Sequence, residues 1–287
     1  MSTFVKSHGL GNDYLVLEGE GLEFPLSAGA VRRLCDRHRG IGADGVLVRV
    51  PSATADFGVR IFNPDGSEAE KSGNGLRIFA KYLRDHGLVG RDRFRVETRG
   101  GVVACECEVR AARVCSVVVE MGTVSFRAAD VPMLGPAGEA VGVPLEVDGE
   151  RLAITAVSIG NPHCVVFTPR LDEAAIRRIG PRLEHHPAFP NRTNVQLARI
   201  DARDRVAILI WERGAGYTLA SGSSSCAAAA AAVRGDRCDP GPVRVTMPGG
   251  ELVVDVRADW SVRLSGPVEE ICSGTLSPEL LAALREE

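Results

Sequence analysis

Glu68–Gly75 (EAEKSGNG) and Thr218–Ser225 (TLASGSSS) are two short segments that lie at an interval of 149 residues and decide the fold. Each places a Ser-Gly pair directly before an apolar or alanine-rich run, a pattern typical of a helix N-terminus. The two serines, Ser72 and Ser221, therefore occupy equivalent positions in what we interpret as two copies of one unit.

The same interval aligns further parts of the chain without a gap. Each aligned pair borders a strand-like segment of alternating apolar residues. The pairs are Gly11-Asn12 with Gly160-Asn161, Gly45-Val46 with Asn194-Val195, and Ile61–Asn63 with Ile210–Glu212. Ordered matches at one interval indicate an internal duplication.

The coarse pattern of each copy consists of short strands with few helices, which predicts an α+β fold. We expect two pseudo-symmetric lobes, each with a mixed or antiparallel sheet wrapped around a central helix. The N-terminal lobe is predicted to span residues 1–120, completed by 266–287, and the C-terminal lobe residues 121–265.

Three further helices are predicted from their start signals. Ser27 and Asp172 are suitable N-caps for a second helix in each copy. Ser277, followed by Pro278, predicts a C-terminal surface helix, since proline is favoured at the first helical position.

The composition of the 287 residues excludes several classes of function. Net charge is only -3, so a nucleic acid or an anionic membrane would find no basic surface. The chain has no apolar stretch long enough for a transmembrane helix and no secretory signal, so we expect a cytoplasmic protein. The eight cysteines include no C-x-x-C pair and are interpreted mainly as buried thiols, and no residue pattern indicates a metal or nucleotide site.

The two helix starts offer a specific chemistry. A helix N-terminus presents backbone N–H groups and partial positive charge, and glycine allows a ligand to approach the backbone closely. Two such ends facing each other would bind a carboxylate and stabilise negative charge beside it. The alternative is that Ser72 and Ser221 are only N-caps.

Several longer segments resemble signature segments of the diaminopimelate epimerase family, in family order and over nearly the whole chain. They are HGLGNDYLVLE, RIFNPDGSEAEKSGNGLRIFAKYL, SIGNPHCVVF, TNVQL and WERGAGYTLASGSSSCA. The resemblance implies the fold described above and a cofactor-independent enzyme. In this family two thiols, one from each lobe, flank the substrate α-carbon: one removes the proton and the other returns one to the opposite face.

The resemblance also implies roles for individual residues. Ser72 and Ser221 stand at the catalytic positions. On chemical grounds Lys71 and His163 are candidate acid/base helpers, since a desolvated lysine can act as a base and histidine can activate serine. The alternatives are a solvated Lys71 and a His163 that only hydrogen-bonds locally. Residues implied to bind the substrate are Asn12, Asn63, Gly73, Asn74, Asn161, Asn194, Glu212, Arg213, Gly222 and Ser223.

The chain departs from the family where the chemistry takes place. Serine replaces both catalytic cysteines, Tyr217 stands where a Glu is usual, and Gly45 stands where some members have Gln. The additional differences favour a divergent natural branch over an artificial pair of Cys→Ser replacements.

Serine changes the energetics of proton transfer. If the pKa of an alcohol lies about five units above that of a thiol, forming the alkoxide costs on the order of 7 kcal/mol more. One helix end offsets only about 0.3–2 kcal/mol of that cost.

Three functions therefore remain open. The chain is an epimerase or racemase with activated serines, a one-sided isomerase or dehydratase on a small carboxylate, or a non-catalytic amino-acid-binding paralogue. The retained polar residues favour the first: a cofactor-independent isomerase acting on an amino acid, with diaminopimelate the leading substrate and lysine biosynthesis the implied context. We expect a small-molecule partner, no nucleic acid, no membrane and no metal, and the pattern is compatible with a homodimer.

Overall fold

The computed structural model describes residues 2–287 and has a mixed α+β architecture dominated by strands. Contacts between residues divide the chain into two compact units. The first runs to Val119 and includes Gly266–Glu287, and the second is Glu120–Ser265. Within the described residues, none of the helices has the length and hydropathy needed to cross a lipid bilayer.

The first unit contains parallel and antiparallel pairs of strands together with three helices. Its strands are β1 (Thr3–Gly9), β2 (Asn12–Glu18), β3 (Val46–Val50), β4 (Phe57–Phe62), β5 (Glu68–Ala69), β6 (Arg93–Thr98), β7 (Gly101–Arg110), most of β8 (Arg113–Thr123), and β18 (Glu269–Thr275). Its helices are α1 (Ala28–Cys35), α2 (Gly73–Asp85) and α5 (Pro278–Glu286).

The second unit contains the matching elements in the same order. Its strands are β9 (Val143–Val147), β10 (Glu150–Ser158), β11 (Pro162–Phe167), β12 (Asn194–Ala202), β13 (Arg205–Glu212), β14 (Gly216–Thr218), β15 (Gly241–Met247), β16 (Gly250–Val256), and most of β17 (Ser261–Pro267). Its helices are α3 (Glu173–Glu184), α4 (Gly222–Arg234) and a short 3-10 helix at Ala128–Asp130.

Strand register repeats between the units and confirms the duplication. The parallel pair β2–β3 places Leu15 opposite Val46, and the parallel pair β11–β12 places Cys164 opposite Val195, at the same interval of 149 residues. A second parallel pair repeats as well, in β4–β6 and β13–β15. Each unit therefore has the same mixed sheet, and the predicted fold class is confirmed.

The predicted helix starts are confirmed by capping contacts. The hydroxyl oxygen of Ser27 accepts from the Ala30 amide at 2.9 Å, and a carboxylate oxygen of Asp172 accepts from the Ala174 amide at 3.1 Å. Ser277 caps α5 in the same way, with Pro278 as its first residue. These side chains satisfy amides that lack an intrahelical carbonyl.

The central helices are buried because the strands of their own unit cover them. In α4 every residue from Cys226 to Ala232 is fully buried, and the helix contacts β10, β11, β12, β13, β15 and β16. Alanine side chains permit this close approach of helix and sheet. In α2, Leu76, Ile78 and Phe79 are fully buried, and the helix contacts β1, β2 and β7.

Candidate active site

Asn12 lies at the start of β2, directly after the β1–β2 turn, and connects two parts of the first unit. Its side-chain Nδ2 donates to Oδ2 of Asp44 at 3.2 Å, and its Oδ1 accepts from Nδ2 of Asn74 at 3.1 Å. Asn74 is the second residue of α2, so the two predicted binding residues are held together at the N-terminus of that helix.

A buried guanidinium group stands behind Asn74. Arg77 is fully buried, and its Nη2 donates to Oδ1 of Asn74 at 2.7 Å while Nη1 donates to the Gly73 carbonyl at 3.3 Å. The Asn74 oxygen is therefore occupied by Arg77, and its amide nitrogen by Asn12. The positive charge of Arg77, in the first turns of α2, adds to the partial positive charge of the helix N-terminus.

Ser72 is the N-cap of α2 and has two partners. Its Oγ accepts from the Gly75 amide at 3.1 Å and lies 3.3 Å from the phenol oxygen of Tyr14. Tyr14 follows Asn12 by two residues in β2 and is buried. Ser72 itself is half-buried, in extended backbone at φ -140°.

A cluster of charges fixes the backbone around Asn12. The buried carboxylate of Asp13 contacts Arg37 at 2.8 Å and Lys6 at 3.0 Å. Burial alone would raise the pKa of Asp13, but the hydrogen bonds from Arg37 and Lys6 outweigh it and lower that pKa to about 2. Asp13 is therefore ionised and holds the start of β2 in place.

Two further predicted residues of the first unit are Asn63 and Lys71. Nδ2 of Asn63 donates to the Ser67 hydroxyl at 3.0 Å in the turn between β4 and β5. Lys71 directly precedes Ser72 and is half-buried.

Ser221 is the N-cap of α4, with a backbone geometry close to that of Ser72, at φ -151°. Among residues 2–287, however, no capping hydrogen bond links the Ser221 hydroxyl to its helix. Its carbonyl oxygen accepts from the Ser225 hydroxyl at 2.8 Å. The two serines thus share a position but differ in what their hydroxyl groups contact.

His163 is fully buried and both of its ring nitrogens are occupied. Nδ1 accepts from Nε2 of Gln196 at 3.0 Å, and Nε2 lies 2.9 Å from Oδ1 of Asn161. The same Gln196 nitrogen donates to the Ser224 hydroxyl at 3.0 Å, in the first turn of α4. A continuous network therefore joins Asn161 to the start of α4.

Burial and the nearby charge of Arg213 lower the pKa of His163 to about 3. The imidazole is neutral at physiological pH, and its nitrogens face Asn161 and Gln196 rather than Ser221. The role of His163 as an acid/base helper stays a prediction, and in this structure the residue is a neutral hydrogen-bonding partner of Asn161. Sequence could not distinguish these roles, because the partner Gln196 lies 33 residues away.

Asn194, at the start of β12, supports the turn that carries Arg213. Its Nδ2 donates to the Pro162 carbonyl at 2.8 Å, and its Oδ1 accepts from the Arg213 backbone amide at 3.0 Å. The buried carboxylate of Glu184 supports the same turn, accepting from the Gly214 amide at 2.9 Å. Asn194 is therefore placed to position the backbone at Arg213.

The remaining predicted groups of the second unit flank this turn. Glu212 ends β13, and its Oε1 accepts from the Thr218 hydroxyl at 3.3 Å. Gly222 and Ser223 form the first turn of α4. Tyr217, the unusual residue in this segment, packs on α3 with its ring centroid 4.3 Å from the Arg177 guanidinium carbon.

None of the eight cysteines stands at position 72 or 221. Six of the eight are buried, as the sequence predicted for most of them. Burial raises the pKa of Cys105 and of Cys107 to about 12, so neither is a thiolate at physiological pH. Within residues 2–287, no group of His, Cys, Asp and Glu side chains could hold a metal ion.

Sequence reasoning missed four residues of this arrangement: Tyr14, Arg77, Gln196 and Ser224. The internal repeat offered a signal for one of them, since Tyr14 aligns with His163. Arg77 was visible as a charge within the apolar face of a helix. Gln196 and Ser224 could be identified only from the contact between their side chains in the structure.

The arrangement provides two helix N-termini, each led by a serine and lined by amide side chains. Backbone amides at such ends bind carboxylates and stabilise developing negative charge. The polar side chains around them donate and accept hydrogen bonds in fixed directions. Each helix N-terminus is thus suited to bind a small polar anion.

Comparison with known proteins identifies the family of this chain. The family model for diaminopimelate epimerase matches residues 4–127 and 155–269, one segment in each repeated half. Diaminopimelate epimerase 2 of Nostoc sp. (strain PCC 7120) is 46% identical over 280 residues, covering 97% of both chains. Diaminopimelate epimerase of Pelotomaculum thermopropionicum is 44% identical, covering 94% of this chain and 97% of its own.

Solved structures of lower sequence identity share the fold. A hydroxyproline epimerase from Agrobacterium vitis superposes with a TM-score of 0.72 at 15% identity, covering 100% of this chain and 98% of its own. A phenazine biosynthesis protein of the PhzF family from Bacillus anthracis gives 0.67 at 15%, covering 96% and 99%. On the extent and identity of the sequence matches, this chain belongs to the diaminopimelate epimerase family.

Proposed function

We propose that this protein is a cofactor-independent epimerase that inverts the α-carbon of an amino acid, with diaminopimelate as its substrate. The amides of Gly73 and Gly222 bind the α-carboxylate, and Ser72 and Ser221 are the proton-transfer groups. One serine removes the α-proton, and the other returns a proton to the opposite face.

One observation carries this proposal: equivalent serines cap equivalent helices in a chain 46% identical to a diaminopimelate epimerase over nearly its whole length. A helix N-terminus favours negative charge on the carboxylate and on the enolate that forms when the α-proton leaves. The placement of serine at both positions preserves a hydroxyl that can donate a proton where a thiol would otherwise stand.

The amide side chains supply orientation. Asn161 has its oxygen occupied by His163, so its NH2 group remains to donate to a substrate carboxylate or carbonyl. Asn12 is fixed between Asp44 and Asn74. Because fixed donors need little reorganisation during the reaction, they stabilise the transition state more than mobile ones.

Deuterium exchange tests the proposal directly. The protein is incubated in D2O with LL- or meso-diaminopimelate, and α-proton loss and stereochemistry are followed by NMR and chiral chromatography. Exchange accompanied by inversion is the expected result. Exchange without inversion would indicate one-sided proton transfer, and thermal stabilisation by the ligand without exchange would indicate a binding paralogue.

Alanine replacements test the two serines. Ser72→Ala and Ser221→Ala are each expected to abolish inversion. The matched control is Ser277→Ala, which removes a serine cap from α5 and should leave the rate unchanged. Inversion that persists in both site variants would refute the assignment.

A further inference from the structure

Tyr14 and His163 occupy equivalent positions in the repeat, each two residues after an asparagine of the candidate site. Their side chains have different partners. The His163 nitrogens contact Asn161 and Gln196, whereas the Tyr14 phenol oxygen lies 3.3 Å from Oγ of Ser72. Ser72 therefore has a second titratable hydroxyl group beside it.

Gly45 gives the Tyr14 ring the space for this contact. A Cβ atom at Gly45 would lie 2.4 Å from Cε1 and 2.9 Å from Cδ1 of Tyr14. Carbon atoms cannot approach so closely, so any larger residue at position 45 would displace the ring. Glycine at position 45 therefore leaves room for the Tyr14 ring in the position from which its hydroxyl group contacts Ser72.

We propose that Tyr14 is the proton-relay partner of Ser72: as the phenolate it takes up the Ser72 hydroxyl proton when Ser72 receives the substrate α-proton, and as the phenol it returns that proton in the reverse step. This inference rests on the proposed function. Tyr14 acts through Ser72 and does not itself touch the substrate.

The relay balances in protons and charge. In proton removal, the C–H bond of the substrate breaks and an O–H bond forms on Ser72, while the Ser72 proton moves to the Tyr14 phenolate. The substrate becomes an enolate and Tyr14 becomes neutral. In proton return, Ser72 gives its proton to the carbon and is reprotonated by Tyr14. Either oxygen of the pair can be the donor, as both directions require.

The acidity of a phenol explains why such a partner is useful. The ordinary pKa of a phenol is about 10, several units below that of an alkyl alcohol. A base that stores its negative charge on Tyr14 is therefore formed more readily than a Ser72 alkoxide. The partial positive charge at the N-terminus of α2 stabilises that charge further.

A purely structural role for the contact predicts a different result. A buried phenol must satisfy its hydroxyl group, and Ser72 could serve only as that partner. Removing the hydroxyl would then lower stability without distinguishing the two stereochemical faces of the substrate. Loss of a proton relay, by contrast, would slow proton exchange only on the substrate face at which Ser72 acts.

The decisive variant is Tyr14→Phe, assayed by deuterium exchange from LL- and meso-diaminopimelate separately. We expect inversion to fall by at least about 100-fold in both directions, because each requires both faces. Exchange without inversion should persist from one stereoisomer and be lost from the other. The KM for diaminopimelate should change by less than about threefold.

Tyr82→Phe is the matched control, since Tyr82 is a half-buried tyrosine of α2 whose hydroxyl group donates to Glu18 at 2.5 Å and not to Ser72. This variant should keep both exchange rates. Gly45→Ala provides a second test, in which the added methyl group would meet the Tyr14 ring and also the Phe62 carbonyl oxygen at 2.6 Å, so its stability is measured alongside exchange. It should cause the same selective loss in the native background and little further loss when combined with Tyr14→Phe.

The outcomes separate the two proposals. Tyr14→Phe with inversion within twofold of the native rate overturns the relay and leaves the epimerase proposal intact. Equal loss of exchange from both stereoisomers, in a folded variant that still binds diaminopimelate, also overturns the relay. Absence of exchange in the unmutated protein overturns both.

Discussion

The Nε2 atom of His163 lies 2.9 Å from Oδ1 of Asn161, and this contact determines which polar group Asn161 presents. Because Gln196 donates to Nδ1, the imidazole proton resides on Nε2 and is donated to the Asn161 oxygen. The Asn161 NH2 group is left to interact with a ligand. His163 is thus placed to set the direction of the Asn161 amide, which is proposed to bind substrate.

Replacing His163 by leucine should weaken substrate binding, because Asn161 loses the donor that fixes its amide. We expect kcat/KM for diaminopimelate to fall by about tenfold, mostly through KM, with a loss of stability of about 1–3 kcal/mol. His163→Gln is the matched variant, since its amide nitrogen can occupy the place of Nε2. It should recover most of the loss; failure to recover any would contradict the orienting role.

Acid should destabilise the protein through His163. Its folded pKa of about 3 lies below the ordinary value of 6.5, so the unfolded chain binds a proton that the folded chain does not. The resulting stability is present above pH 6.5 and is lost as pH falls towards 3. Between pH 7 and pH 5 the loss amounts to about 2 kcal/mol. Urea unfolding at both pH values should show a loss smaller by that amount in His163→Gln, and an equal loss would contradict it.

The sequence allowed the fold to be predicted because its signals are local and are repeated. Ser27 and Asp172 were identifiable as N-caps from their side-chain chemistry. The interval that relates Ser72 to Ser221 also relates the strand registers of the two units. Each of these signals lies within a few neighbouring residues, and the equivalent segment of the other repeat carries a matching signal.

The contacts of the candidate site could not be predicted in the same way. Tyr14 meets Ser72 across 58 residues of chain, and Gln196 meets Ser224 across 28. Such contacts depend on side-chain rotamers and on free space, as at Gly45, and neither is encoded by a local pattern. The roles assigned by resemblance to the individual site residues remain predictions until the variants are measured.

Gly180→Ala should destabilise the second unit. A Cβ atom at this position of α3 would lie 2.6 Å from Cγ of Trp211, in the strand that leads to Glu212. Alanine gains about 1 kcal/mol in helix propensity, but a steric overlap of this size lies in the upper part of the range for overpacking and costs about 2–3 kcal/mol. We expect a net loss of about 1–2 kcal/mol in urea unfolding. Gly138→Ala, where a Cβ would meet no atom within 4 Å, should stay within about 0.5 kcal/mol; a Gly180→Ala variant as stable as this control would contradict the overlap.

Restoring thiols at the two serine positions should increase the rate of epimerisation. Cys105 and Cys107 are poor acids because they are buried among apolar groups, with a pKa of about 12. A thiol at position 72 would instead sit at a helix N-terminus, where the Gly75 amide donates to the side chain and the thiolate is favoured. The double variant Ser72→Cys/Ser221→Cys is therefore expected to invert diaminopimelate at least tenfold faster, as measured by circular dichroism or chiral chromatography.

Ser277→Cys, at the N-cap of α5, is the control and should have no effect on the rate of epimerisation. A double variant that folds and binds diaminopimelate but is no faster than the native protein would mean that the serines are not the limiting proton-transfer groups.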